Sequence, residues 1–199
     1  MFVQIIQGRA KDAEAIRKQV DKWVQDVQPG AIGFLGSTGG VTDDGQLFFS
    51  ARFESEEAAQ KNSDRPEQGA WWEETSQFIE NPTFDDYPNA ELFRRGGSND
   101  AGFVQAIQAR CSNLDRFREV MAEFEQGPDD RPDLIGGIQC WKDDGTLTLV
   151  NYFTSEAEAR KGESQQRSEE REKGFQEFTS LMEDTRWIDL KDPWYTGGE

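Results

Sequence analysis

Residues 2–9, Phe2-Val3-Gln4-Ile5-Ile6-Gln7-Gly8-Arg9, return as residues 103–110, Phe103-Val104-Gln105-Ala106-Ile107-Gln108-Ala109-Arg110, identical at six of eight positions and displaced by 101. A second block repeats in the same order. Asp43-Asp44-Gly45-Gln46-Leu47, Phe53-Glu54-Ser55-Glu56 and Lys61 match Asp143-Asp144-Gly145-Thr146-Leu147, Phe153-Thr154-Ser155-Glu156 and Lys161, displaced by 100. Between the blocks, Pro29-Gly30-Ala31-Ile32-Gly33 pairs with Pro132-Asp133-Leu134-Ile135-Gly136, so the length differences fall in loops, where insertions are tolerated. This collinear order marks a tandem duplication. A period of about 100 residues is too long for a solenoid and suits two complete domains. They are expected at 1–95 and 102–199, joined by a Gly-containing linker at 96–101.

Within each copy the pattern reads strand, helix, strand, strand, helix, strand. Alternation over 2–9 predicts the first strand, and Ile16, Val20, Trp23, Val24 and Val27 give residues 11–27 the spacing of an amphipathic helix. Residues 31–38 and 46–53 flank Asp43-Asp44-Gly45, as residues 134–142 and 146–153 flank Asp143-Asp144-Gly145; Asp-Gly between β-rich runs signals a hairpin. The first hairpin is expected to carry a flexible loop, Gly36-Ser37-Thr38-Gly39-Gly40, as the lip of a pocket. That run lacks the GxGxxG or Lys-Ser/Thr of a phosphate cradle. Ser55 and Ser155 open acidic first turns, Ser155 with Glu158 in capping-box spacing, and Pro66 breaks or restarts the second helix of copy one. Trp71, Trp72, Thr75, Phe78 and Ile79 resume the apolar face, matched by Phe175, Phe178, Leu181 and Met182. Closing strands are expected at 83–87 and 186–190, with an extra strand at 90–95.

The order βαββαβ predicts an α+β fold of two tandem ferredoxin-like domains, each an antiparallel sheet with both helices on one face. The other face would be exposed apolar surface unless covered. Duplication supplies a cover, since two sheets can close on each other within one chain as an intramolecular dimeric α+β barrel.

Composition narrows the function. The net charge of −17 and pI near 4.4 oppose nucleic acid and anionic membrane, both of which need Lys and Arg to neutralise phosphate. Cys111 and Cys140 lack CxxC spacing, no run approaches the ~18 apolar residues of a membrane span, and the chain opens on a β-like segment without a basic leader. A cytoplasmic protein with reduced thiols is expected. Histidine is absent altogether, which removes the commonest general base, the commonest metal ligand and any Ser/His or Cys/His nucleophile pair. No cofactor and no metal are expected, and the two Asp-Asp pairs are read as turn residues.

The strand FVQIIQGR (2–9), the hairpin TDDGQLFFSARFESEEAA (42–59) and the segment NSDRPEQGAWWEE (62–74) resemble tandem proteins of the antibiotic biosynthesis monooxygenase-like group, in the dimeric α+β barrel superfamily. The resemblance spans almost the whole chain. Characterised relatives include cofactor-free oxygenases of electron-rich polycyclic aromatics, haem-degrading enzymes and proteins without an established reaction. The missing histidine speaks against the haem branch. The resemblance thus implies a small-molecule protein, as a cofactor-independent monooxygenase on an aromatic or quinone-like substrate. The alternative is a non-catalytic ligand-binding or stress-associated protein. A monomeric pseudo-dimer and a homodimer both fit.

Candidate site residues are polar and aromatic side chains expected to face the space between sheet and helix or between the two sheets, above all where the copies differ. Alternation puts Asn151 on the face of Leu147, Leu149 and Phe153, where an amide needs partners; its counterpart is Ala51. It either holds a substrate phenolate or enolate or makes a structural hydrogen bond. Arg52 and Tyr152 occupy equivalent positions on the opposite face, with Tyr152 a candidate proton acceptor alongside carboxylates and water. Trp71 and Trp72 are core or an aromatic wall for a flat ligand. Arg65, aligned with Arg167, is an anion ligand or an exposed helix arginine. Trp141 is placed to line the second copy's cavity, and its neighbour Cys140 is expected to be buried and inert.

Overall fold

The computed structural model describes residues 1–97, 99–126, 131–165 and 168–197. Strand β1 (Phe2–Ala10) leads into helix α1 (Ala13–Asp26), the hairpin β2 (Phe34–Val41) and β3 (Gln46–Phe53), helices α2 (Glu56–Ser63) and α3 (Pro66–Ser76), and strands β4 (Ile79–Tyr87) and β5 (Asn89–Arg94). The series repeats as β6 (Phe103–Cys111), α4 (Leu114–Gln126), β7 (Leu134–Trp141), β8 (Thr146–Phe153), α5 (Glu156–Ser164), α6 (Glu169–Ser180), β9 (Met182–Leu190) and β10 (Trp194–Thr196).

The strands form two five-stranded sheets, ordered β10-β2-β3-β1-β4 and β5-β7-β8-β6-β9. Four strands of each keep the ferredoxin-like order, with β1 between β3 and β4 and β6 between β8 and β9. The fifth strand is where repeat and folded unit part company. Strand β5 follows copy one in sequence yet joins β7, and β10 follows copy two yet pairs antiparallel with β2. Unit 1 therefore comprises residues 1–90 and 190–199, and unit 2 residues 91–189.

Local chemistry explains the boundaries. Asp12 caps α1 by accepting the Ala15 N–H at 2.9 Å, and Ser55 and Ser155 accept the N–H groups of Ala58 and Glu158 at 3.1 and 3.2 Å. Pro66 starts α3, where a missing N–H costs no hydrogen bond. Both hairpins turn on a glycine with positive φ, 86° at Gly45 and 89° at Gly145, so that only glycine sits there without strain. The aspartates serve these turns: Thr42 donates to Asp44, and Asp144 accepts the Thr146 N–H at 2.9 Å. These hydrogen bonds hold both carboxyl groups below the usual range.

The run Gly36–Gly40 departs from expectation. It is the interior of β2, its residues all buried, and not a loop. The physical reason lies across the sheet. Gly39 pairs with Phe49, and a Cβ on Gly39 would lie 2.1 Å from the Phe49 ring, so the glycine lets the ring lie over the strand.

Each sheet packs its helices on one face. In unit 1, Ile16 and Val20 of α1 meet Leu47, Ile79 and Trp194; in unit 2, Phe117, Val120 and Met121 of α4 meet Phe93, Leu147 and Leu149. Ion pairs tie the helices together at corresponding carboxylates: Lys22 to Glu74 at 2.6 Å, and Arg116 to Glu177 at 2.6 Å.

Candidate functional site

The sheet-helix space of unit 2 holds a cavity of about 840 Å³; the same space in unit 1 holds about 100 Å³. Superposing the second halves of the copies by their strand starts, Ile79 and Met182, accounts for the difference. Trp71 of α3 corresponds to Gly174 of α6, and Trp23 of α1 to Phe124 of α4. In unit 1 the indoles are locked in place. Trp71 donates to the Gln19 carbonyl at 2.7 Å and Trp23 to the Gln68 side chain at 2.8 Å, with their rings 6.4 Å apart. With glycine at position 174 the indole is missing, and the Phe124 ring lies 3.1 Å from where a Cβ would stand.

Much of the unit 2 cavity wall is apolar: Phe93, Ile107, Met121, Phe124, Leu134 and Leu149 line it. Across the sheet runs a polar row from β8 through β6 to β9. Asn151 lies opposite Gln105, and Gln105 donates to Asp189 at 3.0 Å. Arg160 of α5 donates to the other oxygen of Asp189 and lies 5.2 Å over the Phe103 ring. Burial works against the Arg160 charge, but the hydrogen bond to Asp189 and the nearby Glu163 keep its guanidinium above the ordinary value. Unit 1 keeps the scaffold part of this row, Gln4 to Asp86 at 2.8 Å, with Ala51 where Asn151 stands. Among the described residues the Asn151 amide has no hydrogen-bond partner, and it faces the cavity half-buried.

Four arginines line the cavity, a set that reading the sequence did not single out: Arg94, Arg131, Arg160 and Arg171. Arg94 donates to the Arg131 and Leu134 carbonyls at 3.1 and 2.9 Å; Arg131 grips Asp133 and lies 5.7 Å over Phe153; Arg171 lies 5.5 Å over Phe124. The available signal was the comparison of copies: Arg160 stands against Gln60 and Arg171 against Gln68, each a gain of charge in copy two.

The other candidates are spread across the fold. Trp71 and Trp72 line the small cavity of unit 1, where Trp72 meets Phe84 edge to face at 4.9 Å. Tyr152 is fully buried, and strand alternation puts it, like Arg52, on the sheet face opposite the cavities. Arg65 donates from both terminal nitrogens to the Val27 carbonyl at 3.1 Å and to Asn62 at 3.2 Å, closing the end of α1. Its partner in the alignment, Arg167, lies outside the described residues. Trp141 sits 5.1 Å beneath the Arg118 guanidinium. Cys140 is buried with its thiol 3.4 Å from the Thr148 carbonyl, and burial pushes the Cys111 thiol up. Among the described residues, no cluster of Asp, Glu and Cys has the arrangement of a metal site, and no helix is long and apolar enough to cross a membrane.

No protein-family model and no curated protein matches the sequence. Solved structures do match the fold. A candidate monooxygenase of Fusobacterium nucleatum aligns with a TM-score of 0.74 at 10% identity, covering 100% of this chain and 95% of its own. An anthrone oxidase-like protein aligns with a TM-score of 0.61 at 9% identity, covering 98% of this chain and 88% of its own. A ferredoxin-fold protein of Listeria monocytogenes, related to antibiotic biosynthesis monooxygenases, gives 0.50 at 8% identity over 100% of this chain and 95% of its own. The chain thus has the fold of tandem antibiotic biosynthesis monooxygenase-like proteins, two ferredoxin-like units in one polypeptide.

Proposed function

We propose that unit 2 binds a flat aromatic or quinone-like small molecule and oxidises it with O2 without a cofactor. The observation that carries this reading is the unit 2 cavity itself. It is of the ~300–1,000 Å³ size that encloses small ligands, apolar over much of its wall, and it presents the amide of Asn151, which has no hydrogen-bond partner among the described residues.

The chemistry suits an anthrone-type substrate, and similarity to the fold of an anthrone oxidase-like protein supports that choice. Loss of a proton from the ring methylene gives an enolate whose oxygen accepts the Asn151 N–H. The enolate carbon bonds to O2, the resulting hydroperoxide loses water, and a carbonyl remains: one oxygen atom enters the product and the other leaves as water, all electrons coming from the substrate. The protein contributes orientation, exclusion of water and a donor aimed at the developing anion. The proton acceptor in this scheme is Asp189, on the same polar row as Asn151.

The test is oxygen uptake with anthrone. Wild-type protein consumes one O2 per anthraquinone formed, and Asn151→Ala lowers the rate about 10- to 100-fold, the usual cost of a lost oxyanion donor being of that order or somewhat larger. A second reading, a binding protein without chemistry, has its own support: Gln105 and Arg160 already donate to both oxygens of Asp189, so the carboxylate is engaged in the polar row. Binding of anthrone with no oxygen uptake decides for that reading.

A further inference from the structure

We propose that Trp187, on β9, is a ligand-contacting residue that closes the unit 2 cavity over its occupant; the inference rests on unit 2 being the binding unit. Trp187 is 54% exposed, the most exposed large hydrophobic side chain among the described residues, yet it lines the cavity. It makes no ring contact, hydrogen bond or ion pair among them. Its counterpart in unit 1 is Phe84, which meets Trp72 edge to face at 4.9 Å. The position matching Trp72 is Phe175, which also lines the cavity and lies 6.2 Å from Phe178, their rings stacked.

The two units thus solve the same packing problem differently. In unit 1 an aromatic pair, Trp72 with Phe84, fills the edge of the sheet-helix space, and the Trp71 indole fills its depth. In unit 2 both aromatic positions are kept, Phe175 and Trp187, while Gly174 removes the indole between the helix and the sheet. A large indole at the rim of a cavity, with no ring, hydrogen-bond or ion-pair partner among the described residues, is left with its face to offer. A planar ring entering the cavity takes the place against Trp187 that Trp72 takes against Phe84. Trp187 then serves as a specificity residue, favouring flat aromatic ligands over aliphatic ones of equal volume, because only an aromatic ring gains the edge-to-face contact that Trp72 and Phe84 make in unit 1.

The experiment uses the full chain and 1,8-dihydroxyanthraquinone as the probe. Titration is followed by tryptophan emission and, independently, by the absorbance of the dye, with Trp187→Ala, Trp187→Phe and Gly174→Trp as variants and circular dichroism as the folding check. Trp187→Ala raises Kd about tenfold, Trp187→Phe changes it less than about threefold, and both lose the part of the emission quench that Trp187 supplies. Gly174→Trp abolishes binding. If Trp187→Ala binds as tightly as wild type while Gly174→Trp does not bind, the cavity stands and the role of Trp187 falls. If wild type fails to bind the dye, or Gly174→Trp binds it like wild type, the cavity reading falls and the Trp187 proposal with it.

Discussion

Units 1 and 2 have the same strand order, the same serine caps at Ser55 and Ser155 and the same glycine turns, yet one is packed with indoles and the other holds about 840 Å³ of space. The scaffold tolerates both because side chains on the inner faces of helices and strands can change without altering the backbone hydrogen bonds of the ladders. Filling one copy stabilises it; leaving the other open forgoes that packing, which is the trade expected of a site. Divergence at Trp71 and Gly174, Ala51 and Asn151, and Gln60 and Arg160 is the basis of the proposal that the ligand binds in copy two.

The largest test of this contrast is Gly174→Trp. Gly174 lines the cavity, and a Cβ there would stand 3.1 Å from the Phe124 ring, which must give way as the indole enters. Ligand affinity, read by calorimetry, falls about 100-fold or more, the scale of losing a buried aromatic-sized contact surface, while Tm holds or rises. A fall in Tm with affinity retained would break the comparison.

The converse change, Trp71→Ala, removes the ring packed against Trp23 and Trp72 and the hydrogen bond to Gln19. Urea denaturation should show a loss of about 3–5 kcal/mol, and the space opened should admit small aromatics that wild-type unit 1 excludes. Calorimetric stoichiometry would then rise from one site per chain towards two.

Gly137→Ala probes the cavity wall. A Cβ there would fall 1.7 Å from the Phe93 ring, so Phe93 must move; the expected cost is about 1–3 kcal/mol in chemical denaturation, with weakened ligand binding. Gly39→Ala, under Phe49 in unit 1, should cost a similar amount with no effect on binding.

The smallest effect sharpens what the copies share. Lys22 hydrogen-bonds Glu74 and Arg116 hydrogen-bonds Glu177, and each cation holds its carboxyl below the ordinary value. A carboxylate with a lowered folded pKa stabilises fully above its unfolded pKa and loses that contribution as pH falls through the folded value. Stability should therefore be flat from neutrality down to about pH 5 and decline below about pH 4. Glu74→Gln and Glu177→Gln should each flatten that acid limb slightly; these groups are exposed, so a large shift in the midpoint at neutral pH would count against a matched role.

Much of the architecture was legible from short-range chemistry. A period-2 or 3.6-residue pattern, a Ser cap, a Pro at a first turn and a Gly at φ near 90° each act within a few residues, so the duplicated βαββαβ order, the hairpins and the restart at Pro66 follow from the chain alone. Asn151 could likewise be put on the inner face by alternation. Gly36–Gly40 misled because glycine-rich runs usually mark loops, and only the ring of Phe49 across the sheet explains a strand there. The arginines of the cavity were equally hidden, since Arg94, Arg131, Arg160 and Arg171 come from four separate segments.

The sequence by itself determined the repeat, the order of elements and their ends, because those depend on each residue and its near neighbours. Tertiary structure alone decided which sheet β5 and β10 join, and that one copy is filled while the other is hollow. The reason is that a cavity is set by the volumes of side chains meeting across a sheet-helix gap: Gly174 borders open space where Trp71, at the matching position, fills it.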